Sequence, residues 1–80
     1  MSHAALTARL VEALEGAAVR EAESAALVSA TFDVLTSDEA ARIETRVVRK
    51  TRTLLFMSAD ARNAAGACVA TASSVHKISA

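Results

Sequence analysis

Thr53-Leu54-Leu55-Phe56-Met57-Ser58-Ala59-Asp60-Ala61-Arg62 carries four large apolar residues in succession, from Leu54 to Met57, as expected of a strand covered on both sides. Asn63, Ala64, Ala65 and Gly66 follow as a turn in which Gly66 is free to take positive φ. Beyond it, residues 67–78 are rich in small and β-branched side chains and predict another strand, with Val69, Thr71 and Val75 on one face and Ala70, Ala72 and Ile78 on the other. Upstream, Ile43, Thr45 and Val47 alternate with Arg42, Glu44 and Arg46, which predicts a strand over residues 41–50 with one wet face. Earlier still, Val28, Ala30, Phe32 and Val34 alternate with Ser29, Thr31 and Asp33 and predict a strand over residues 26–35. Thr36, Ser37, Asp38 and Glu39 are the polar break between those two strands.

Before Ala25 the period is helical. Leu6, Leu10 and Leu14, with Ala13, Ala17 and Ala18 between them, recur at three- and four-residue spacing and predict a helix over residues 3–20. Ser2 is placed to cap it, and Gly16 costs it about 1 kcal/mol of propensity. Arg20, Glu21, Glu23 and Ser24 either extend the helix or link it to the first strand. Strands joined by short loops are antiparallel, so the expected fold is α+β: one domain over residues 1–80, a four-stranded antiparallel meander with the helix on one face. One face and two edges of that sheet are left unfinished, and a symmetric partner would complete the burial.

The composition narrows the function. A neutral chain of 80 residues, 52% hydrophobic, is neither a disordered tail nor a basic surface for nucleic acid or anionic membrane. At this size the core is thin, which favours self-association. Cys68 has no partner for an internal disulfide, and no paired Cys/His spacing suggests a metal site, so a reducing cytoplasm fits. Arg9, Glu12 and Glu15 interrupt the start of the chain, which therefore lacks a leader's continuous apolar run, and no window of about 18 apolar residues exists to span a bilayer. Cys68 is expected as a small buried hydrophobe, and His76 as a surface or interface residue. Ser58, Ser73 and Ser74 lack the glycine context of a serine hydrolase.

The helix followed by antiparallel strands, with Arg-Val-Val-Arg-Lys-Thr-Arg-Thr-Leu-Leu-Phe-Met from Arg46 to Met57, resembles the hot-dog-fold acyl-CoA thioesterases of the phenylacetate-pathway and hydroxybenzoyl-CoA type. In that family a turn of the form Arg-x-Gly-Arg-Thr/Ser-Leu opens a central strand that runs on to Asp-x-x-Gly-x-x-Val-Ala-Thr. The counterparts here are Arg49 to Leu54, Asn63 to Gly66 and Val69-Ala70-Thr71. The family helix opens His-Gly-Gly and carries an acidic residue nine positions after the histidine, often with a glycine four later; His3, Ala4, Ala5, Glu12 and Gly16 hold that register. Both opening glycines are alanine in this chain, Thr51 stands where a glycine is common, and the family's first strand has no counterpart, so the resemblance is to an N-terminally shortened hot dog.

The resemblance implies hydrolysis of a coenzyme A thioester, with no further cofactor, in a homodimer or dimer of dimers. Glu12 would be the catalytic carboxylate, and His3 would orient the carbonyl or the water. The backbone N–H groups of Ala4, Ala5 and Leu6, at the positive end of the helix, would receive the oxyanion. Arg52, with Arg49 and Lys50, would contact the coenzyme A phosphates. Read without the resemblance, Glu12 faces water and the basic residues guard a strand end. Two further readings stand beside the enzyme: a noncatalytic hot-dog homologue or fragment that binds acyl-CoA or only self-associates, and an unrelated helix-on-sheet interaction module.

Overall fold

Leu6, Leu10, Leu14, Ala17 and Ala18 form the buried stripe of a helix, α1, that runs His3–Glu21. The structure, a computed structural model, describes residues 3–79; Ser2, expected as the cap, lies outside the described residues. The polar stretch after α1 is a link: Ala22 N–H still bonds Ala18 O at 2.8 Å, and Ala25 N–H then turns back to Ala22 O at 2.9 Å. Gly16 lies within α1, and a Cβ added there would meet only Arg20 Nη1, at an ordinary 3.5 Å. Gly16→Ala is therefore expected to stabilise the fold by about 0.5–1 kcal/mol, read from the urea midpoint. A loss of stability would mean that the helix needs glycine there.

Four strands follow: β1 Ala26–Val34, β2 Arg42–Lys50, β3 Leu54–Arg62 and β4 Cys68–Lys77. All neighbours are antiparallel, in the order β1-β4-β3-β2. The α+β architecture, one helix on a four-stranded antiparallel sheet, matches the sequence reading; the meander does not, because β1 pairs with β4 and not with β2. Residues 35–41 carry the chain from one edge to the other. Three strand spacings are about 14 Å, and this connection reaches about 23 Å, so its length permits the crossing. It is tied down along the way: Leu35 N–H bonds Val69 O at 2.9 Å, Ala41 N–H bonds Arg62 O at 2.7 Å, and the buried Ala40 accepts Arg9 Nη1 at 3.0 Å.

The register sorts side chains by face. Phe32, Ala72, Ala59 and Thr45 form one row beneath the helix, and Val34, Ala70, Ala61 and Ile43 the next. Alanines at the middle of these rows leave room for Leu6, Leu10 and Leu14, so large side chains on α1 meet small ones on the sheet and the core closes. In β3 this overturns the expectation of a strand covered on both sides. Leu55 and Met57 are buried against the core, whereas Leu54 and Phe56 are half-buried on the opposite face, over which no helix packs.

Two turns fix the register. Gly66 adopts φ 88°, as its position required, and Asn63 Oδ1 accepts the N–H groups of Ala65 and Ala67 at 3.0 and 2.9 Å. At the β2–β3 turn the Thr51 hydroxyl accepts Leu54 N–H at 3.0 Å, so the residue that stands in place of a glycine builds the turn with its side chain.

Candidate functional site

The helix-face pattern that buries Leu10 and Leu14 turns Glu12 outward, about 200° around the axis from Leu10, and Glu12 is exposed. Its carboxylate makes no ion pair or side-chain hydrogen bond among the described residues. Ala5 lies on the same side of the helix about 10 Å towards its N-terminus, so Glu12 and part of the first turn face one direction. His3, also exposed, is half a turn round from Glu12 and about 13 Å along the axis. The chain does not bring those two side chains together. Ala4 and Ala5 are exposed, and the Leu6 side chain is core, 4% exposed. The first turn is where the positive pole of the helix lies.

The basic residues sit at the other end of α1, whose length is about 27 Å. Lys50 Nζ donates to Glu21 O at 3.3 Å and pairs with Glu21 Oε1 at 3.5 Å, closing the helix C-terminus. Arg49 and Arg52 are exposed and form no ion pair among the described residues. Within one chain, then, the proposed phosphate contacts and the proposed oxyanion donors are separated by the full helix.

A different set of charges is gathered on the helix-free face. Arg62 Nε bonds Glu44 Oε1 at 2.8 Å, Arg42 Nε reaches Glu44 Oε2 at 3.4 Å, and Arg46 Nη1 bonds Asp60 Oδ2 at 3.1 Å. The bond from Arg62 is the main cause that holds the Glu44 carboxyl below its ordinary range. These exposed pairs fix side chains on β2 and β3 and add little stability.

His76 was missed. It is 1% exposed, in a row of Leu27, His76, Leu55 and Lys50 beneath α1, and its Nε2 shares a 2.8 Å hydrogen bond with Ser74 Oγ. It is therefore part of the chain's own core and not a surface residue. The signal was the alternation itself: Ala70, Ala72, Ser74 and His76 are one face of β4. Burial pushes the His76 imidazole below its ordinary 6.5, and the charge of Glu15 opposes that shift. The unfolded chain then binds the proton more readily than the folded one. The contribution is constant above about pH 6.5 and is lost as pH falls below it. Urea midpoints are expected to drop between pH 7 and 5, with a smaller drop in His76→Gln; equal drops would remove His76 as the cause. Cys68, expected buried, is half-buried, with its Sγ 3.4 Å from Ala70 O.

A hollow of about 190 Å³ is lined mainly from the helix-free face, by Ser29, Thr31, Val48, Phe56, Ser73 and Val75, with Met57 and Ser74 of the buried face also bordering it, and none of the residues expected to act in catalysis lines it. Among the described residues no three His, Cys, Asp or Glu side chains gather into a metal-binding group, and no helix is long and apolar enough to cross a membrane. No protein-family model matches the chain, and no curated protein matches it.

Proposed function

We propose that this chain is a hot-dog-fold acyl-CoA thioesterase of the cytoplasm that works as a symmetric homodimer. The observation that carries the proposal is Glu12: an exposed carboxylate with no ion pair among the described residues, on the same helix side as Ala5 in the first turn. In the reaction Glu12 takes a proton from water as the water oxygen bonds to the thioester carbonyl carbon. The oxyanion that develops is stabilised at the helix N-terminus, the carbon–sulfur bond breaks, and the thiolate leaves with the proton returned from Glu12.

The edges of the sheet support the dimer. Edge strand β2 carries Arg42, Glu44, Arg46, Arg49 and Lys50, a row of charges that discourages strand addition. Edge strand β1, Ala-Leu-Val-Ser-Ala-Thr-Phe-Asp-Val, has Asp33 as its single charge, and Val28 is 62% exposed. A second copy pairing antiparallel along β1 would satisfy that edge. Because the pairing is two-fold, it would also bring the helix C-terminal end of one protomer level with the helix N-terminal end of the other.

The test is Glu12→Gln, which removes the base with little change in volume. Turnover of acyl-CoA is expected to fall by about 10²-fold or more while the circular dichroism spectrum stays the same. Equal rates would remove Glu12 as the base. The separation of Arg49 and Arg52 from the first helical turn favours the second reading, a noncatalytic relative that binds acyl-CoA or only self-associates; that protein would show binding or dimerisation and no turnover.

A further inference from the structure

We propose that the hollow on the helix-free face binds a small monocarboxylate with a compact apolar body, such as a ring or a short branched chain. Its apolar part comes from three strands: Val48 of β2, Phe56 of β3 and Val75 of β4. The row on one side of these residues is polar, Thr31, Ser73, Ser58 and Arg46, and the row on the other holds Leu54 and Ala26 with Lys77. Ser29, Thr31 and Ser73 put hydroxyl groups at its border. A volume of about 190 Å³ suits a single ring and not an extended acyl chain.

The irregularity in β2 supplies both halves of the recognition. The register shifts between Val47 and Arg49, and Arg49 pairs with Phe56 while Val48 lines the hollow. The extra residue therefore sets an apolar side chain and a cation side by side on one face, as a bulge can and a regular strand cannot. Lys77, two residues beyond Val75 on β4, adds a second cation to the same face. Arg46 and Arg62 are occupied by Asp60 and Glu44, whereas Arg49 and Lys77 make no ion pair among the described residues. Arg49 and Lys77 do not line the hollow but neighbour its lining residues in the register, and positive charge beside an apolar hollow favours an anion whose body is apolar. The hollow is across the sheet from Glu12 and shares only Arg49 with the expected coenzyme A contacts, and carboxylate binding is read without acyl-CoA, so its failure and that of the thioesterase proposal are distinguishable.

The probe is cyclohexanecarboxylate, titrated against the whole chain by amide nitrogen–proton NMR, with cyclohexanecarboxamide and acetate in parallel. Saturable shifts at Ser29, Thr31, Val48, Ser73 and Val75 in the millimolar range are expected, with the amide and acetate each weaker by about tenfold. The double variant Arg49→Gln/Lys77→Gln is expected to weaken the carboxylate by about tenfold and leave the amide unchanged. Absence of saturable shifts, or equal binding of carboxylate and amide, would overturn the proposal. So would movement of the Val48, Ser73 and Val75 signals with protein concentration alone, which would mean that a second copy covers the face; Ser29 and Thr31 lie on the β1 edge and move with dimerisation in either case.

Discussion

Leu14→Ala is expected to lower the unfolding free energy by about 2–5 kcal/mol, the range for emptying a fully buried leucine site. Leu14 is 0% exposed, and it packs onto a sheet whose facing positions are largely alanine, at Ala59, Ala61, Ala70 and Ala72. Alanines have no rotamer with which to fill the space, so the cavity cannot collapse by side-chain movement. A chain of this length has a total stability of roughly 4–12 kcal/mol, and a loss of this size takes a large part of it. Urea denaturation followed by circular dichroism, at one fixed protein concentration because the proposed dimerisation would add to apparent stability, checks the value. A loss below about 1 kcal/mol would mean that α1 is not docked on the sheet through this residue.

The second large effect concerns the unguarded edge. Val28→Lys together with Thr31→Lys places two cations on β1, and a two-fold pairing would set each pair near its symmetry mates. Like-charge juxtaposition across an interface costs several kcal/mol, so the dimer dissociation constant should rise by about two orders of magnitude or more. Light scattering over micromolar concentrations reads it directly. The same substitutions leave α1 and its core contacts untouched, so the variant should remain folded as a monomer. A wild-type protein that is monomeric throughout that range would contradict the dimer itself, and a dimeric variant would move the interface away from β1.

The elements were legible because their periods differ. Leu6, Leu10 and Leu14 repeat at helical spacing, Ala30, Phe32 and Val34 at strand spacing, and the observed bounds differ from the expected ones by at most one residue at each end. Strand order was not legible. Residues 35–41 are long enough to make either a loose hairpin or a crossing, and local pattern does not choose between them. Bulges were equally hidden: the register shifts beside Val28 and Val48 expose those valines to 62% and 63%, where simple alternation puts Val28 beside Ala30 on the inner face.

The candidate site was legible in part. A wheel places Glu12 outward, as found, but spacing along a helix says nothing about what lies across from it, and the distance from Arg52 to the first turn emerges only once Lys50 is seen at the helix C-terminus. His76 shows the reverse case, since its burial follows from alternation with Ser74 and Ala72.

The measurement closest to the central claim is thioester hydrolysis by the wild-type chain across short, long and aromatic acyl-CoAs, followed at the thioester absorbance so that the thiol of Cys68 does not enter the signal. Saturable turnover of at least one of them, abolished in Glu12→Gln, is the predicted result. Folded, dimeric protein with no turnover across the panel would contradict it, and would leave a fold that associates or binds without catalysing.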